Sequence, residues 1–365
     1  MHPARTTGVK LYARVTNTNY MSETDGESAA DVDPQQYEVA VIGGGPAGLS
    51  AALYTTRLSH ETVVIDRGGG RAAMMLDTHN VIGVTEDVSG NEFLQTATEQ
   101  VKNYGGDVVR DYIDEIEQDD DGRFHLSGNS TDIVADRVVL GMGFSDEDPE
   151  PPLPRTGKGL HYCLHCDAYM FVDESVYVMG TGEATAHVAM IMLNFTDEVD
   201  ILTRGDEIEW SDETQKLVEG HPVDVIHEDI EGLNKGDDGW LESFEFEDGT
   251  LREYRGGFAM YGSDYNTGLA TSLGCELNDD GTVVTGDHGE TTVDGVYAVG
   301  DITQGHNQIP VAMGKGAKAG LSIHKDLRTF PKSLDELESE GPVGETDVPG
   351  VSPEIREAAE AFADD

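Results

Sequence analysis

Two of the three cysteines in this chain stand at Cys-x-x-Cys spacing, and a carboxylate follows the second: Cys163, Cys166, Asp167. Two intervening residues let the sulfurs meet over one tight turn, and a short, partly exposed bridge of this kind tends to be reducible. The pair also lies between two Gly-rich strand-turn-helix stretches, 41–53 and 176–190. The spacing and the position together predict a reversible redox disulfide.

The first Gly-rich stretch has the residues of a dinucleotide-binding turn. An apolar strand over 37–42 leads into Gly43-Gly44-Gly45-Pro46-Ala47-Gly48, and a helix is expected over 49–58. Gly43 permits the tight turn, Gly45 lets a pyrophosphate approach the backbone, and Gly48 lets the helix pack on the strand. The next strand ends in Asp66, where an acid receives the ribose hydroxyls. The stretch therefore predicts a dinucleotide site.

The second Gly-rich stretch is a weaker version of the same pattern. Gly180-Thr181-Gly182-Glu183-Ala184-Thr185 follows a strand, with Thr185 in place of the third glycine. The next strand ends near Arg204, the one basic residue there, with Asp206, Glu207 and Glu209 close by. Because a cofactor with a 2′-phosphate needs several basic groups at this point, these residues put NADPH in doubt and make NADH plausible.

A third segment could approach a flavin. The strand over 295–299 ends in Gly300-Asp301, and Gln308-Ile309 opens a helix expected to reach about residue 327. A buried acid beside a glycine can accept a hydrogen bond from a ribityl hydroxyl, and a helix N-terminus can face the electron-accepting end of a flavin.

Composition limits the partners. The 365 residues include 71 acids against 23 Lys and Arg, which gives a formal net charge of −48. Phosphate contacts need basic surface, so nucleic-acid binding is not expected. Acid spread along the whole chain is typical of a protein from a salt-loaded cytoplasm, and we expect its structure to be lost in dilute buffer. The few cysteines favour a reducing compartment, and no apolar run has the length of a membrane span.

Composition also suggests where segments begin and end. Residues 1–20 carry no acid, whereas several acids follow Met21 at once, so we expect Met21 to be the true start. The Pro-rich run over 149–154 is the expected boundary between two domains. The acidic residues 331–365 are expected to form a solvated tail with a short helix from Ser352-Pro353.

Taken in chain order, the first glycine turn, Cys163-x-x-Cys166-Asp167, the second glycine turn and the segment from Gly295 to Asp301 resemble the low-molecular-weight thioredoxin reductases. The region over 161–204 also resembles the gliotoxin-reductase-type branch. The resemblance implies an α/β fold with two Rossmann-like, three-layer domains, the second inserted in the first. FAD would occupy 37–150 with 290–330, and NADPH or NADH would bind 151–289, which carries the dithiol; 1–36 would be an extra segment. It further implies a homodimer, thioredoxin or a similar small redox protein as partner, and rotation of the inserted domain.

The resemblance also assigns roles to single residues. Cys166 corresponds to the sulfur nearest the flavin, Cys163 to the nucleophile that attacks the substrate disulfide, and Asp167 to the acid that exchanges protons with the thiols. Positions matching FAD contacts are Gly43, Gly45, Pro46, Ala47, Gly48, Asp66, Gly300, Asp301, Gln308 and Ile309. Positions matching nicotinamide-cofactor contacts are Gly180, Gly182, Glu183 and Arg204.

Other functions remain open at this point. The electrons could run outward, with the flavin oxidising a small dithiol and passing electrons to oxygen, or the donor could be a ferredoxin. A non-catalytic flavoprotein that senses redox state is a further possibility. A metal site of His161, Cys163, His165 and Cys166 is disfavoured, because four ligands within six residues close a tetrahedral site poorly. The two histidines are expected at the surface or as modulators of the thiolates.

Overall fold

A computed structural model describes residues 34–150, 152–153, 156–348 and 350–363. The expected start at Met21, together with Pro151 and Pro154 of the Pro-rich run, lies outside these ranges. The strands are β1 (Gln35–Ile42), β2 (Thr62–Ile65), β3 (Asp107–Val109), β4 (Ile113–Gln118), β5 (Phe124–Gly128), β6 (Asp132–Leu140), β7 (Phe144–Asp146), β8 (Leu160–His161), β9 (Val176–Met179), β10 (Val199–Leu202), β11 (Val223–Ile226), β12 (Ile230–Lys235), β13 (Leu241–Phe246), β14 (Leu251–Glu253), β15 (Gly256–Ala259), β16 (Ser263–Tyr265) and β17 (Val296–Ala298). The α-helices are α1 (Pro46–Arg57), α2 (Gly90–Lys102), α3 (Leu164–Asp167), α4 (Glu183–Met192), α5 (Asp212–Glu219), α6 (Gly268–Ser272), α7 (Ile309–Leu327), α8 (Leu334–Glu340) and α9 (Pro353–Ala363).

The first sheet has the order β3-β2-β1-β6-β5-β4. The long strand β6 pairs with β5 along its first residues and with β17 along its last three. The central strand of the sheet, β1, is buried over residues 39–42. Alternate side chains of a strand point to opposite sides of the sheet, so burial of successive residues means that both faces are covered here. Val39 and Val41 pack with α1 and α7, whereas Ala40 and Ile42 pack in the core on the other face. The sheet therefore holds the start of α1, and the glycine turn before it, at the carboxyl end of β1.

The second sheet is parallel, with the order β11-β10-β9-β15-β8. Residues of α4 pack on one face, and the antiparallel β12-β13-β14 sheet packs on the other. The chain leaves the first sheet after β6, builds this second sheet, and returns to the first at β17. The predicted fold of two Rossmann-like units, one inserted in the other, is confirmed. The residue limits given for the two domains stay predictions.

Two short strands that follow one another in the chain lie at opposite edges of the first sheet: β3 pairs with β2, and β4 pairs with β5 on the far side. The break falls at Asp111, whose carboxylate accepts hydrogen bonds from the N–H groups of Tyr112 and Ser130 at 2.8 and 2.9 Å. The hydroxyl of Thr131 donates to the same carboxylate at 2.6 Å. Asp111 thus turns the chain out of β3 and ties that turn to the loop between β5 and β6.

We expect Asp111→Asn to lower the melting temperature at neutral pH. The hydrogen bonds from Thr131, Ser130 and Tyr112 hold the pKa of this carboxyl far below its usual range. An amide would turn an NH₂ group towards donors in either orientation. Because the folded-state pKa is depressed, the stabilisation is present above the unfolded value of about 4 and is lost as the pH falls through the folded value.

The difference in melting temperature between wild type and Asp111→Asn should therefore shrink in acid. Asp114→Asn removes the same charge from an exposed neighbour and serves as the control. An Asp111→Asn variant that melts with wild type at pH 7 would contradict this role for the carboxylate.

The acidic tail contains more helix than expected. Besides α9, which begins after Ser352 as expected, it forms α8, where Ser333 and Glu336 make a capping box. The tail also lies close to the turn between α2 and β3, next to the first sheet. A Cβ added at Gly105 in that turn would lie 3.3 Å from the side chain of Glu354. Among the described helices, none combines the length and apolar character needed to cross a membrane.

Candidate active site

Cys163 and Cys166 are joined by a disulfide, with their Cα atoms 5.3 Å apart. The short helix α3 carries the pair: the N–H groups of Cys166 and Asp167 both donate to the carbonyl oxygen of Cys163 at 3.2 Å. Both cysteines are half-buried, whereas His165 between them is exposed. The expected redox disulfide is therefore present, on one turn of helix with Asp167 directly after it.

The disulfide lies against the start of α7. Gln308, the residue before that helix, places its side-chain nitrogen 3.6 Å from the Cys163 sulfur and 3.7 Å from the Cys166 sulfur. The amide oxygen of Gln308 accepts a hydrogen bond from Asn80 at 2.8 Å. The two sulfurs are nearly equidistant from Gln308, so these contacts do not rank them. The structure thus brings the dithiol to Gln308, at the start of the segment that the family resemblance assigns to the flavin.

The first glycine turn has the shape that a pyrophosphate requires. Gly43 has a φ of +103°, and a Cβ at Gly48 would lie 2.0 Å from the carbonyl oxygen of Gly43, so only glycine lets α1 pack this closely. A Cβ at Gly45 would meet nothing within 4 Å, and α1 begins without a side-chain cap. The space beside Gly45, in line with the helix N-terminus and Pro46 and Ala47, is open to an anion.

Asp66 lies across this turn, at the end of β2. Its two carboxylate oxygens accept hydrogen bonds from the N–H groups of Gly44 and Gly68, both at 2.9 Å. The expected acid is therefore at the dinucleotide turn, and it also fixes the backbone there. Each oxygen keeps a further lone pair with which a ribose hydroxyl could bond.

The third segment converges on the same turn. A Cβ at Gly300 would lie 2.7 Å from the Cβ of Ala47, and Gly300 has a φ of +75°. Burial raises the pKa of the Asp301 carboxyl, against the opposing effect of Arg71 and Lys315. The Lys315 ammonium donates to the carbonyl oxygens of Gly300 and Thr303 at 3.1 and 3.2 Å. An open phosphate turn with a half-buried acid beside it fits FAD.

The second glycine turn is formed as expected, but two of its predicted contacts are engaged within the protein. A Cβ at Gly182 would meet nothing within 4 Å, and Gly180 has a φ of +131°. The Glu183 carboxylate accepts hydrogen bonds from the N–H of Ser211 and the hydroxyl of Thr214, both at 2.6 Å. The Arg204 side chain is only 3% exposed and donates from Nε to Asp229 at 2.8 Å.

His161 was expected at the surface or as a modulator of the thiolates. The surface position is wrong: the residue is 5% exposed, and its Nδ1 lies 2.7 Å from the carboxylate of Asp167. Asn80, whose amide donates to Gln308, was not predicted at the site, and no local motif marks it. Pairing of β8 with β15, which sets His161 opposite Phe258, is a long-range contact that spacing does not reveal. The described residues include no group of three His, Cys, Asp or Glu side chains placed to hold a metal.

Comparison with known proteins gives the family. Residues 37–316 match the model of the pyridine nucleotide-disulphide oxidoreductases. A thioredoxin reductase from Peptoclostridium acidaminophilum is 31% identical over 79% of this chain and 96% of its own length. An NADH dehydrogenase from Bacillus subtilis is 30% identical over 82% of this chain and 60% of its own length. The crystal structure of thioredoxin reductase from Streptococcus pyogenes is 25% identical and aligns with a TM-score of 0.74 over 82% of this chain and 100% of its own.

These matches span both nucleotide-binding units and the disulfide between them. Family members use FAD and NADPH, and the FAD-binding features described above are present in this chain. The chain therefore belongs to the pyridine nucleotide-disulphide oxidoreductases and, within them, to the low-molecular-weight thioredoxin reductases.

Proposed function

We propose that this flavoenzyme takes electrons from a nicotinamide donor without a 2′-phosphate and passes them through the Cys163–Cys166 disulfide to thioredoxin or a similar small redox protein. The contact of both sulfurs with Gln308 carries the proposal, because it sets the redox pair beside the helix that borders the FAD site. FAD, when bound, supplies the two-electron link between donor and disulfide. Cys163 is the nucleophile towards the partner, Cys166 faces the flavin, and Asp167 exchanges protons with the thiols.

The cofactor roles follow from the open turns. We assign the FAD pyrophosphate to the turn from Gly43 to Gly48, its ribose to Asp66, its ribityl chain to Gly300 and Asp301, and its pyrimidine ring to the backbone of Gln308 and Ile309. The donor pyrophosphate is assigned to the turn from Gly180 to Glu183. The open space at Gly45 and Gly182 supports both assignments, since a Cβ at either would touch nothing within 4 Å.

Electrostatics at the end of β10 supports a donor without a 2′-phosphate. Arg204 is buried and paired with Asp229, so its charge is already compensated. The loop over 206–209 carries three acids. The N–H of Glu209 donates to the carbonyl oxygen of Thr181 at 2.9 Å, which holds this acidic loop against the second glycine turn. A 2′-phosphate entering beside that loop would face carboxylates and meet no free cation on Arg204, whereas a plain ribose would not suffer this repulsion.

We expect 2′-phospho-ADP-ribose to bind at least about tenfold more weakly than ADP-ribose, a difference of about 1.4 kcal/mol. Calorimetric titration of the purified FAD-loaded protein in concentrated KCl measures both dissociation constants without any turnover. Asp206→Ala, which removes one carboxylate from the loop, should reduce the ratio of the dissociation constant of 2′-phospho-ADP-ribose to that of ADP-ribose. Equal or tighter binding of the 2′-phosphate form would show that Arg204 or another cation serves it.

An anaerobic titration tests the whole proposal. The protein in concentrated KCl is titrated with NADH and NADPH separately while flavin absorbance and free thiols are followed. Bleaching of the flavin together with the appearance of two thiols supports the reductase direction, and NADH should act faster. If neither nicotinamide bleaches the flavin but dithionite does, the proposal fails and a ferredoxin becomes the donor to test. Oxygen uptake with a small dithiol and no nicotinamide would instead indicate an oxidase.

We also infer the setting in which the enzyme works. Family resemblance supports a homodimer, and the low cysteine content supports a reducing cytoplasm. The net charge of −48 supports a salt-loaded, halophilic host, because such a surface repels itself unless ions screen it. Light scattering in concentrated KCl and again in dilute buffer tests both the dimer and the salt requirement.

A further inference from the structure

We propose that His161 is a positioning residue for the thiol–disulfide exchange, acting by holding the carboxylate of Asp167. This inference rests on the proposed role of Asp167 as the acid of the dithiol. The Nδ1 atom of His161 lies 2.7 Å from Oδ2 of Asp167, a short charge-assisted hydrogen bond. The histidine side chain is 4% exposed and the carboxylate side chain 21% exposed, so the bond is shielded from water on the histidine side.

The surroundings of the ring decide which nitrogen carries the hydrogen. Nε2 of His161 is buried and has no hydrogen-bond partner within the described chain. Phe171 meets the ring edge-on at 5.3 Å, and Trp240 stacks on it at 6.1 Å. A hydrogen on Nε2 would be a buried donor without an acceptor, so the hydrogen sits on Nδ1 and points at Asp167.

The framework around His161 is rigid. The residue ends β8, paired in register with Phe258 of β15, and Arg255 lies over the Trp240 ring at 4.3 Å. Asp167 ends the turn of helix that carries both sulfurs. A hydrogen bond from the sheet to this helical turn therefore fixes the carboxylate relative to the disulfide. Within the described residues the second oxygen, Oδ1, accepts no hydrogen bond from protein and is left to exchange a proton.

The exchange step shows where that proton is needed. The Cys163 thiolate forms a bond to one sulfur of the substrate disulfide, the substrate S–S bond breaks, and the leaving sulfur takes the electron pair and a proton. The Cys166 thiolate then attacks the Cys163 sulfur, re-forms the disulfide and releases the second product thiol. Two electrons pass from the dithiol to the substrate, and Asp167 mediates the proton transfers. A carboxylate free to rotate away would serve these transfers less often.

Two histidine variants separate positioning from packing. His161→Phe fills the aromatic site but has no N–H, whereas His161→Asn places an amide N–H near the position of Nδ1. Each is made with Asp167 and with Asp167→Asn, in the FAD-loaded protein. The measurement is the rate at which dithiothreitol reduces the Cys163–Cys166 disulfide anaerobically, with thiols counted over time. This rate needs neither nicotinamide nor partner, so it reports on His161 even if the nicotinamide titration fails.

We expect His161→Phe to slow the reduction by about tenfold with Asp167 present and by less than about twofold with Asp167→Asn, and His161→Asn to recover most of the rate. Equal slowing in the two backgrounds would show a structural role alone and overturn the proposal. No slowing in either background, or no recovery with His161→Asn in a protein of unchanged melting temperature, would overturn it as well.

Discussion

Replacement of Cys163 by serine is expected to lower disulfide-reductase turnover by at least about 10³-fold while leaving reduction of the flavin by its nicotinamide donor intact. A serine hydroxyl at this position is not ionised near neutral pH and cannot attack a disulfide. The loop that the disulfide closes spans only a sequence separation of 3, so its loss removes little chain-entropy stabilisation. The measurement is steady-state turnover with a small protein disulfide, beside stopped-flow bleaching of the flavin.

Cys275→Ser is the matched control. Cys275 is buried, its sulfur lies 3.5 Å from the Thr291 hydroxyl, and it is far along the chain from the disulfide. We expect this variant to turn over like wild type, and Cys166→Ser to be as inactive as Cys163→Ser. Turnover surviving in Cys163→Ser would mean that the flavin reduces the substrate directly. Loss of flavin bleaching in the same variant would mean that the cysteine also shapes the cofactor site.

Part of the candidate site could be predicted from the sequence because its motifs are local. A glycine turn, an acid at the end of the following strand and a Cys-x-x-Cys pair each involve residues close in the chain, so the spacing of these residues determines how they are arranged in space. Asp66 at the turn from Gly43 and the disulfide on one turn of helix are present as predicted. The inserted second unit was also predicted, because the motifs in their order resemble a family in which one domain is inserted in the other.

The remaining features depend on contacts between distant segments. His161 was expected at the surface or as a modulator of the thiolates, and pairing of β8 with β15 excludes the surface position because it buries the residue. Arg204 was expected to be available to a cofactor, and its pairing with Asp229 follows from how β10 and the loop before β12 meet. The break between β3 and β4 comes from hydrogen bonds that Asp111 accepts from residues 19 and 20 positions away. Periodicity within a window cannot detect such partners.

A Gly316→Ala substitution is expected to cost about 3 kcal/mol of unfolding free energy and to weaken FAD binding. A Cβ at Gly316 would lie 2.0 Å from the carbonyl oxygen of Ala47 and 3.0 Å from the Cβ of Ser50, so backbone must move. Ala47 belongs to the turn assigned to the FAD pyrophosphate, and α7 packs on α1 along this line. Pushing α1 and α7 apart is therefore expected to lower the free energy of unfolding and, in the same step, to displace the glycine turn that would hold the phosphates.

Gly314→Ala makes the same chemical change two residues earlier in α7. Gly314 is exposed, and a Cβ there would meet nothing within 4 Å. Because alanine has the higher helix propensity, we expect this variant to be as stable as wild type or more stable by up to about 1 kcal/mol. Urea unfolding in concentrated KCl, with and without added FAD, measures both variants. If Gly316→Ala matched Gly314→Ala in stability and in FAD affinity, close packing of α7 on α1 would not be what positions the phosphate turn, and the helix N-terminus and Asp66 would have to hold it alone.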